Sequence, residues 1–204
     1  MTTNKIILTD IDGVVLDWEE GFSVWMEHHG HDTVQGFKEF YDVNKRYGIN
    51  KQSSKKLVEQ FNSSAAIGFL PPLRDAQYYM KLLHEKHKFQ FVAVTSLSTD
   101  KFAQKLRKRN LAKLFGDNAF KKVICLACGA DKDKKLTQLL DKYEGCYWIE
   151  DKIENARVGA SLGYRTLVMK HKYNMSETGD FKFVANWEDI YNEVTNGIEW
   201  GFCQ

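Results

Sequence analysis

The chain has only two prolines in 204 residues, and they are adjacent, Pro71 and Pro72. Helices and strands can run uninterrupted elsewhere, and the pair marks a single break. Cysteine is scarce too. Cys125, Cys128, Cys146 and Cys203 show no disulfide framework, and the C-x₂-C spacing of the first two lacks the second pair that a zinc site needs. No apolar run approaches the ~20 residues of a membrane span. The apolar stretch at residues 6–8 is followed at once by Asp10 and Asp12, so no signal-peptide pattern is present and a cytoplasmic location without membrane association is expected. Charge of one sign is also missing: 29 lysines and arginines against 27 acids leave +2. That balance does not suggest a dedicated nucleic-acid or membrane-surface binder, and no stable nucleic-acid complex is expected. What remains is 43% hydrophobic and 27% charged residues, the composition of a globular chain that buries a core without staples.

Short runs rich in β-branched and aromatic residues occur at 5–9, 89–95, 123–126, 147–149 and 166–169. They lack in/out alternation, as strands buried on both faces of a parallel sheet do. Between them lie helical spacings, Ala76/Tyr79/Met80/Leu83 and Leu136/Leu139/Leu140/Tyr143. Strand and helix alternate, which predicts an α/β fold with crossover connections. Residues 18–70 break the rhythm: they offer only helical spacings (Phe22/Trp25/Met26, Phe37/Phe40/Tyr41, Leu57/Val58/Phe61) and stop at the proline pair. The expected organisation is an α/β core from residues 1–17 and 71–204 with a helical insertion at 18–70. The basic stretch 101–113 reads as a helix with Phe102, Leu106 and Leu111 inward and its cations outward. That outer face is either simply solvated or a contact for phosphate backbones.

Ligands of open α/β sheets collect at the carboxyl ends of the strands. There the chain places Asp10, Asp12 and Gly13 after the first strand, Thr95 and Ser96 after the second, and Glu150 and Asp151 after the fourth. Acids so crowded repel one another unless a cation is present, and a hard divalent ion such as Mg²⁺ suits oxygen ligands and a phosphate substrate.

The ordered set of motifs resembles the haloacid dehalogenase (HAD) superfamily of phosphohydrolases. Residues 10–14 (DIDGV) resemble its first motif, Thr95 its second, and residues 148–155 (WIEDKIEN) its fourth; a lysine opening the preceding helix would be the third. Lys132 is favoured there because it lies four residues before Leu136, with Lys134 and then Lys135 as alternatives. The resemblance implies a Rossmann-like parallel sheet with a small helical cap inserted after the first strand. It also implies a phosphomonoester hydrolase with Asp10 as nucleophile and Asp12 as general acid and base. Thr95, Ser96 and Lys132 would bind phosphate, and Mg²⁺ would be held by Asp10, the Asp12 carbonyl and Asp151.

The tail narrows the resemblance. Residues 171–174 (HKYN) and 183–190 (FVANWEDI) are similar to the ending of the 5′(3′)-deoxyribonucleotidases and their phage-encoded relatives. That implies a small phosphorylated substrate, a (deoxy)nucleoside monophosphate, with Trp18 and Phe22 as candidate base-stacking rings close to the catalytic loop. A polynucleotide 3′-phosphatase, or a non-catalytic binding protein on the same fold, are the alternatives. The oligomeric state is not readable from these features.

Overall fold

The structure is a computed structural model describing residues 5–199, with the side chains of residues 197–199 left aside; Cys203 lies outside the described residues. Six strands, β1 (Ile6–Thr9), β2 (Gln90–Ser96), β3 (Phe120–Leu126), β4 (Tyr147–Glu150), β5 (Arg165–Met169) and β6 (Lys182–Val184), form one sheet in the order β3-β2-β1-β4-β5-β6. Every neighbouring pair is parallel. Strand order reverses between β1 and β4, and the Asp10 N–H continues the ladder past the end of β1 by donating to the Ile149 carbonyl (2.8 Å).

Helices cover both faces, as all-parallel strands require. On one face Ile7, Phe91, Ala93 and Ile149 pack against α4 (Ala76–Glu85), α5 (Lys101–Phe115) and α8 (Trp187–Glu199). On the other, Leu8, Val92, Val94 and Trp148 pack against α6 (Asp133–Tyr143) and α7 (Ile153–Ser161). At Gly159 of α7 an added Cβ would lie 2.3 Å from Trp148, so helix and sheet meet there at glycine distance.

Residues 18–70 contain α1 (Trp18–His28), α2 (Val43–Arg46) and α3 (Lys51–Asn62), with 3₁₀ turns at Phe37–Glu39 and Ala65–Gly68. Side-chain caps start the longer helices: Asp17 accepts from the Glu20 N–H (3.0 Å) and Asn50 from the Ser53 N–H (2.8 Å). Phe22, Met26, Phe61 and Ile67 join Leu16, Leu70 and Leu73 in one apolar cluster with the sheet. The chain leaves and re-enters the α/β layers side by side. The Asp17 N–H donates to the Pro71 carbonyl, and the Leu73 N–H to the Val15 carbonyl, each at 2.9 Å.

Three local expectations need correcting. β6 has no counterpart in the sequence reading, whose last strand is the run at 166–169; it is a three-residue edge strand. β3 is the other edge, half exposed with Lys121 and Lys122 at the surface, so Cys125 is only partly buried. On α5, Phe102 points outward at 63% exposure while Arg107 and Asn110 turn inward. Burial there follows Ala103, Arg107, Asn110 and Leu111, a helical spacing that apolar identity alone does not reveal.

Candidate active site

The loop after β1 is tightly folded. The N–H groups of Val15 and Leu16 both donate to the Ile11 carbonyl (2.8 Å), and the Gly13 N–H donates to the Leu16 carbonyl (3.0 Å). Gly13 has φ +77°, and a Cβ on it would fall 2.6 Å from Asp151 Oδ2, so the turn accepts only glycine. Two distant groups hold this loop from outside. The Trp187 indole N–H donates to the Val14 carbonyl (2.8 Å), and His171 Nε2 lies 2.7 Å from the Gly13 carbonyl. A carbonyl only accepts, so that nitrogen carries the proton; burial lowers the His171 pKa to about 4 and keeps the ring neutral.

Lys132, at the start of α6, is 2% exposed and bridges two acids. Its Nζ is 2.6 Å from Asp10 Oδ2 and 2.8 Å from Glu150 Oε2. Lys134 is exposed and Lys135 partly so, bonded to Gln138 on the same helix (2.6 Å). Glu150 has no oxygen to spare: its Oε1 accepts from the N–H groups of Asp151 (3.0 Å) and Lys152 (3.1 Å). Asp151 accepts from the Tyr173 hydroxyl, and its backbone carbonyl accepts from Asn174 Nδ2 (2.8 Å). Ligand atoms of Asp10, Glu150 and Asp151 lie within 4.8 Å of one another.

One ammonium among three buried carboxylates leaves an excess of negative charge. Burial, with Glu150 and Asp12 nearby and against the pull of Lys132, pushes Asp10 from the ordinary 3.8 up to about 8. Burial, Glu150 and Asp10 raise Asp151 as well. Burial acts the same way on Glu150, but Lys132 and its hydrogen bonds outweigh that and hold it below the usual range. For Lys132, burial opposes the charge, yet the two carboxylates more than offset it and the pKa rises. With Glu150 occupied, Asp10 and Asp151 are the carboxylates left to meet a cation. The donor set, all oxygen and short of positive charge, fits a hard divalent ion.

Asp12 is held by Arg107, whose Nη1 is 2.5 Å from Asp12 Oδ1. Arg107 is wholly buried, and its Nε and Nη2 have no partner among the described residues. Thr95 is likewise buried with its hydroxyl unpartnered, whereas the Ser96 hydroxyl donates to the Ala130 carbonyl (2.7 Å). Asp10, Asp12, Thr95, Ser96, Lys132, Asp151 and Trp18 all line one cavity of about 860 Å³. Phe22 does not: at 2% exposure it is packed against Trp18, Phe61 and Tyr47, which corrects its candidacy as a stacking ring. The Trp18 indole N–H donates to Asn62 Oδ1 (2.9 Å). Phe37, Tyr41 and Tyr173 also line the cavity, with Lys38, Arg46 and Lys55 beside them. Arg107 was missed because it sits in a basic run that reads as surface. The bracing roles of Glu150, His171 and Tyr173 come from contacts across the fold.

The sheet and its flanking helices have the fold of solved haloacid dehalogenase-like proteins. Similar solved structures include a haloacid dehalogenase-like hydrolase from Streptococcus pneumoniae, 13% identical with a TM-score of 0.65 over 95% of this chain and 99% of that one. They also include D,D-heptose 1,7-bisphosphate phosphatase from B. bronchiseptica, solved with magnesium and phosphate, 9% identical with a TM-score of 0.56 over 94% and 98%. The chain belongs to the family of an uncharacterized 32.4 kDa protein of Enterobacteria phage T4 from the Gp30–rIII intergenic region, 31% identical over 197 residues, 92% of this chain and 69% of that protein. No protein-family model matches. Among the described residues no helix is long and apolar enough to cross a membrane.

Proposed function

We propose that the protein is a Mg²⁺-dependent phosphomonoester hydrolase acting through Asp10, with nucleoside monophosphates as its substrate class. The observation that carries this reading is the buried Asp10–Lys132–Glu150 chain, whose first two members line a cavity together with Thr95, its hydroxyl unpartnered among the described residues. Lys132 fixes the Asp10 carboxylate and offers positive charge to an entering phosphate, and Thr95 supplies a donor that no described residue uses. A divalent ion held by Asp10, Asp151 and the Asp12 carbonyl would neutralise the acids and draw the anionic phosphate toward the anionic nucleophile.

The chemistry balances on this chain's own groups. An Asp10 oxygen forms a bond to phosphorus as the ester P–O bond breaks, and Asp12 gives its proton to the departing alcohol. Water then attacks the aspartyl-phosphate, Asp12 takes a proton from it, and the P–O bond to Asp10 breaks to release inorganic phosphate. Arg107 engages one oxygen of Asp12 and holds the side chain in place while the other exchanges the proton.

Residues 18–70 are assigned the role of a cap that excludes water from this cavity, since Trp18, Phe37 and Tyr41 come from that segment and line the cavity together with Asp10 and Lys132. The aromatic lining supports a base-bearing substrate. The test is phosphate release from a panel of nucleotides, sugar phosphates and an aryl phosphate, with Mg²⁺ and with chelator. Nucleoside monophosphates should turn over only with metal, and Asp10→Asn should abolish turnover in a folded protein. Absence of phosphate release from every ester would overturn the enzyme reading, and a sugar phosphate preferred over all nucleotides would overturn the substrate class.

A further inference from the structure

Residues 101–113 carry six cations and no acid. One, Arg107, turns into the protein and holds Asp12. The other five, Lys101, Lys105, Lys108, Arg109 and Lys113, are all exposed, and none forms an ion pair with a described residue. At 3.6 residues per turn these five and Phe102 share an arc of roughly 140° on α5, along a stripe about 18 Å long. Lys101/Lys105, Lys105/Arg109 and Arg109/Lys113 are like charges at i, i+4, each a small destabilisation of the helix that no acid in the stretch relieves.

Two aromatic rings stand out beside the stripe. Phe102 is 63% exposed and lies on the same helical face as Lys105 and Arg109. Phe69 is 76% exposed and follows Gly68, which packs so closely on α5 that an added Cβ would be 3.3 Å from Leu106. Cations in a row answer a polyanion, and exposed rings among them answer unpaired bases, since every base has a π-face to stack. The N-terminal end of the stripe begins five residues after Ser96, at the sheet edge that carries the cavity. The near-neutral net charge hides this face because the compensating acids lie elsewhere.

We propose that the outer face of α5 binds single-stranded nucleic acid, with phosphates on the five cations and bases on Phe102 and Phe69. This goes beyond the hydrolytic reading and does not depend on it. The test is fluorescence anisotropy of a labelled oligothymidylate with the full chain. Four or five phosphate contacts at about −0.7 each predict an affinity that falls roughly 50- to 130-fold between 50 and 200 mM salt. Lys105→Glu with Arg109→Glu should weaken binding about tenfold or more, and Phe102→Ala about fivefold or more. Lys134→Glu with Lys142→Glu, on the opposite face of the sheet, should leave it unchanged. Asp10→Asn should also bind as wild type does, so failure of binding and failure of hydrolysis are told apart. The proposal is overturned if no binding is detected at 50 mM salt, or if the α5 charge reversal has no effect. It is equally overturned if Phe102→Ala binds as wild type does, or if anionic vesicles but not the oligonucleotide respond to the α5 substitutions.

Discussion

Replacing Lys132 by methionine removes the single ammonium that separates Asp10 from Glu150 and keeps nearly the same side-chain volume. The lysine is 2% exposed, with its partners at 2.6 and 2.8 Å, so little solvent screens the loss. Deleting one member of a buried ion pair costs about 3–5 kcal/mol. At 2–4 °C per kcal/mol for a chain of this length, the midpoint should fall by roughly 6–20 °C near pH 8. The effect must also depend on pH in a defined direction. Lys132 and the hydrogen bonds outweigh burial and hold Glu150 below the usual range in the wild type; without Lys132 burial is opposed only by the two N–H bonds on Oε1, so the pKa of the folded variant's Glu150 rises. A carboxyl whose folded pKa lies above its unfolded one destabilises the fold as pH rises, so lowering pH from about 8 to 5 should shrink the deficit relative to wild type. Urea unfolding followed by tryptophan fluorescence at the two pH values measures both quantities. A variant within 0.5 kcal/mol of wild type at pH 8, or a deficit that does not shrink at pH 5, would refute the charge argument.

Other consequences of the geometry are equally measurable. Thr95→Val removes a buried hydroxyl that has no partner among the described residues, so stability should stay within about 1 kcal/mol of wild type or rise, while phosphate release falls at least tenfold; a large loss of stability would mean the hydroxyl is structurally engaged. Gly159→Ala places a methyl 2.3 Å from Trp148 and should cost about 1–3 kcal/mol by urea titration, whereas Gly145→Ala, with nothing near its Cβ, should lose only what its φ of +68° costs. Asp10 sits at about 8 when folded and 3.8 ordinarily, so in metal-free protein its contribution is complete below about pH 4 and is lost as pH rises through 8. Added Mg²⁺ replaces what is lost: at a hundred times its dissociation constant it should raise the midpoint by about 5–11 °C near pH 8.5 and by much less near pH 5. Equal shifts at both pH values would contradict the assignment of Asp10 as a ligand.

Strands that stand inside the sheet were legible because burial on both faces leaves an unbroken apolar run: Ile6–Thr9, Gln90–Ser96, Tyr147–Glu150 and Arg165–Met169 all show it. β6 was not, since three residues at an edge need only one buried side chain, Val184. The carboxylates that share the cavity could be read from their places at strand ends, where topology does the gathering. Arg107 could not. Its neighbours in sequence are Lys105, Lys108 and Arg109, and only the three-dimensional position of Asp12 separates it from them. Phe22 illustrates the opposite error: nearness to the loop after β1 in sequence says nothing about which way a ring faces, and helix α1 turns this one into the core.

The hydrogen bond from the Trp187 indole to the Val14 carbonyl spans 173 residues of chain. At ribosomal rates of about 5–20 residues per second, the loop after β1 waits roughly 9–35 s between its own synthesis and the arrival of the second of the two side chains that hold it. Asp75 tightens that dependence by accepting from the N–H groups of Trp187 (2.9 Å) and Glu188 (3.0 Å), which docks the last helix at the place where the chain returns from residues 18–70. A nascent chain that already contains Asp10, Lys132 and Asp151 therefore lacks the brace on its loop until α8 docks. During translation, the acids are made early and the site is finished late.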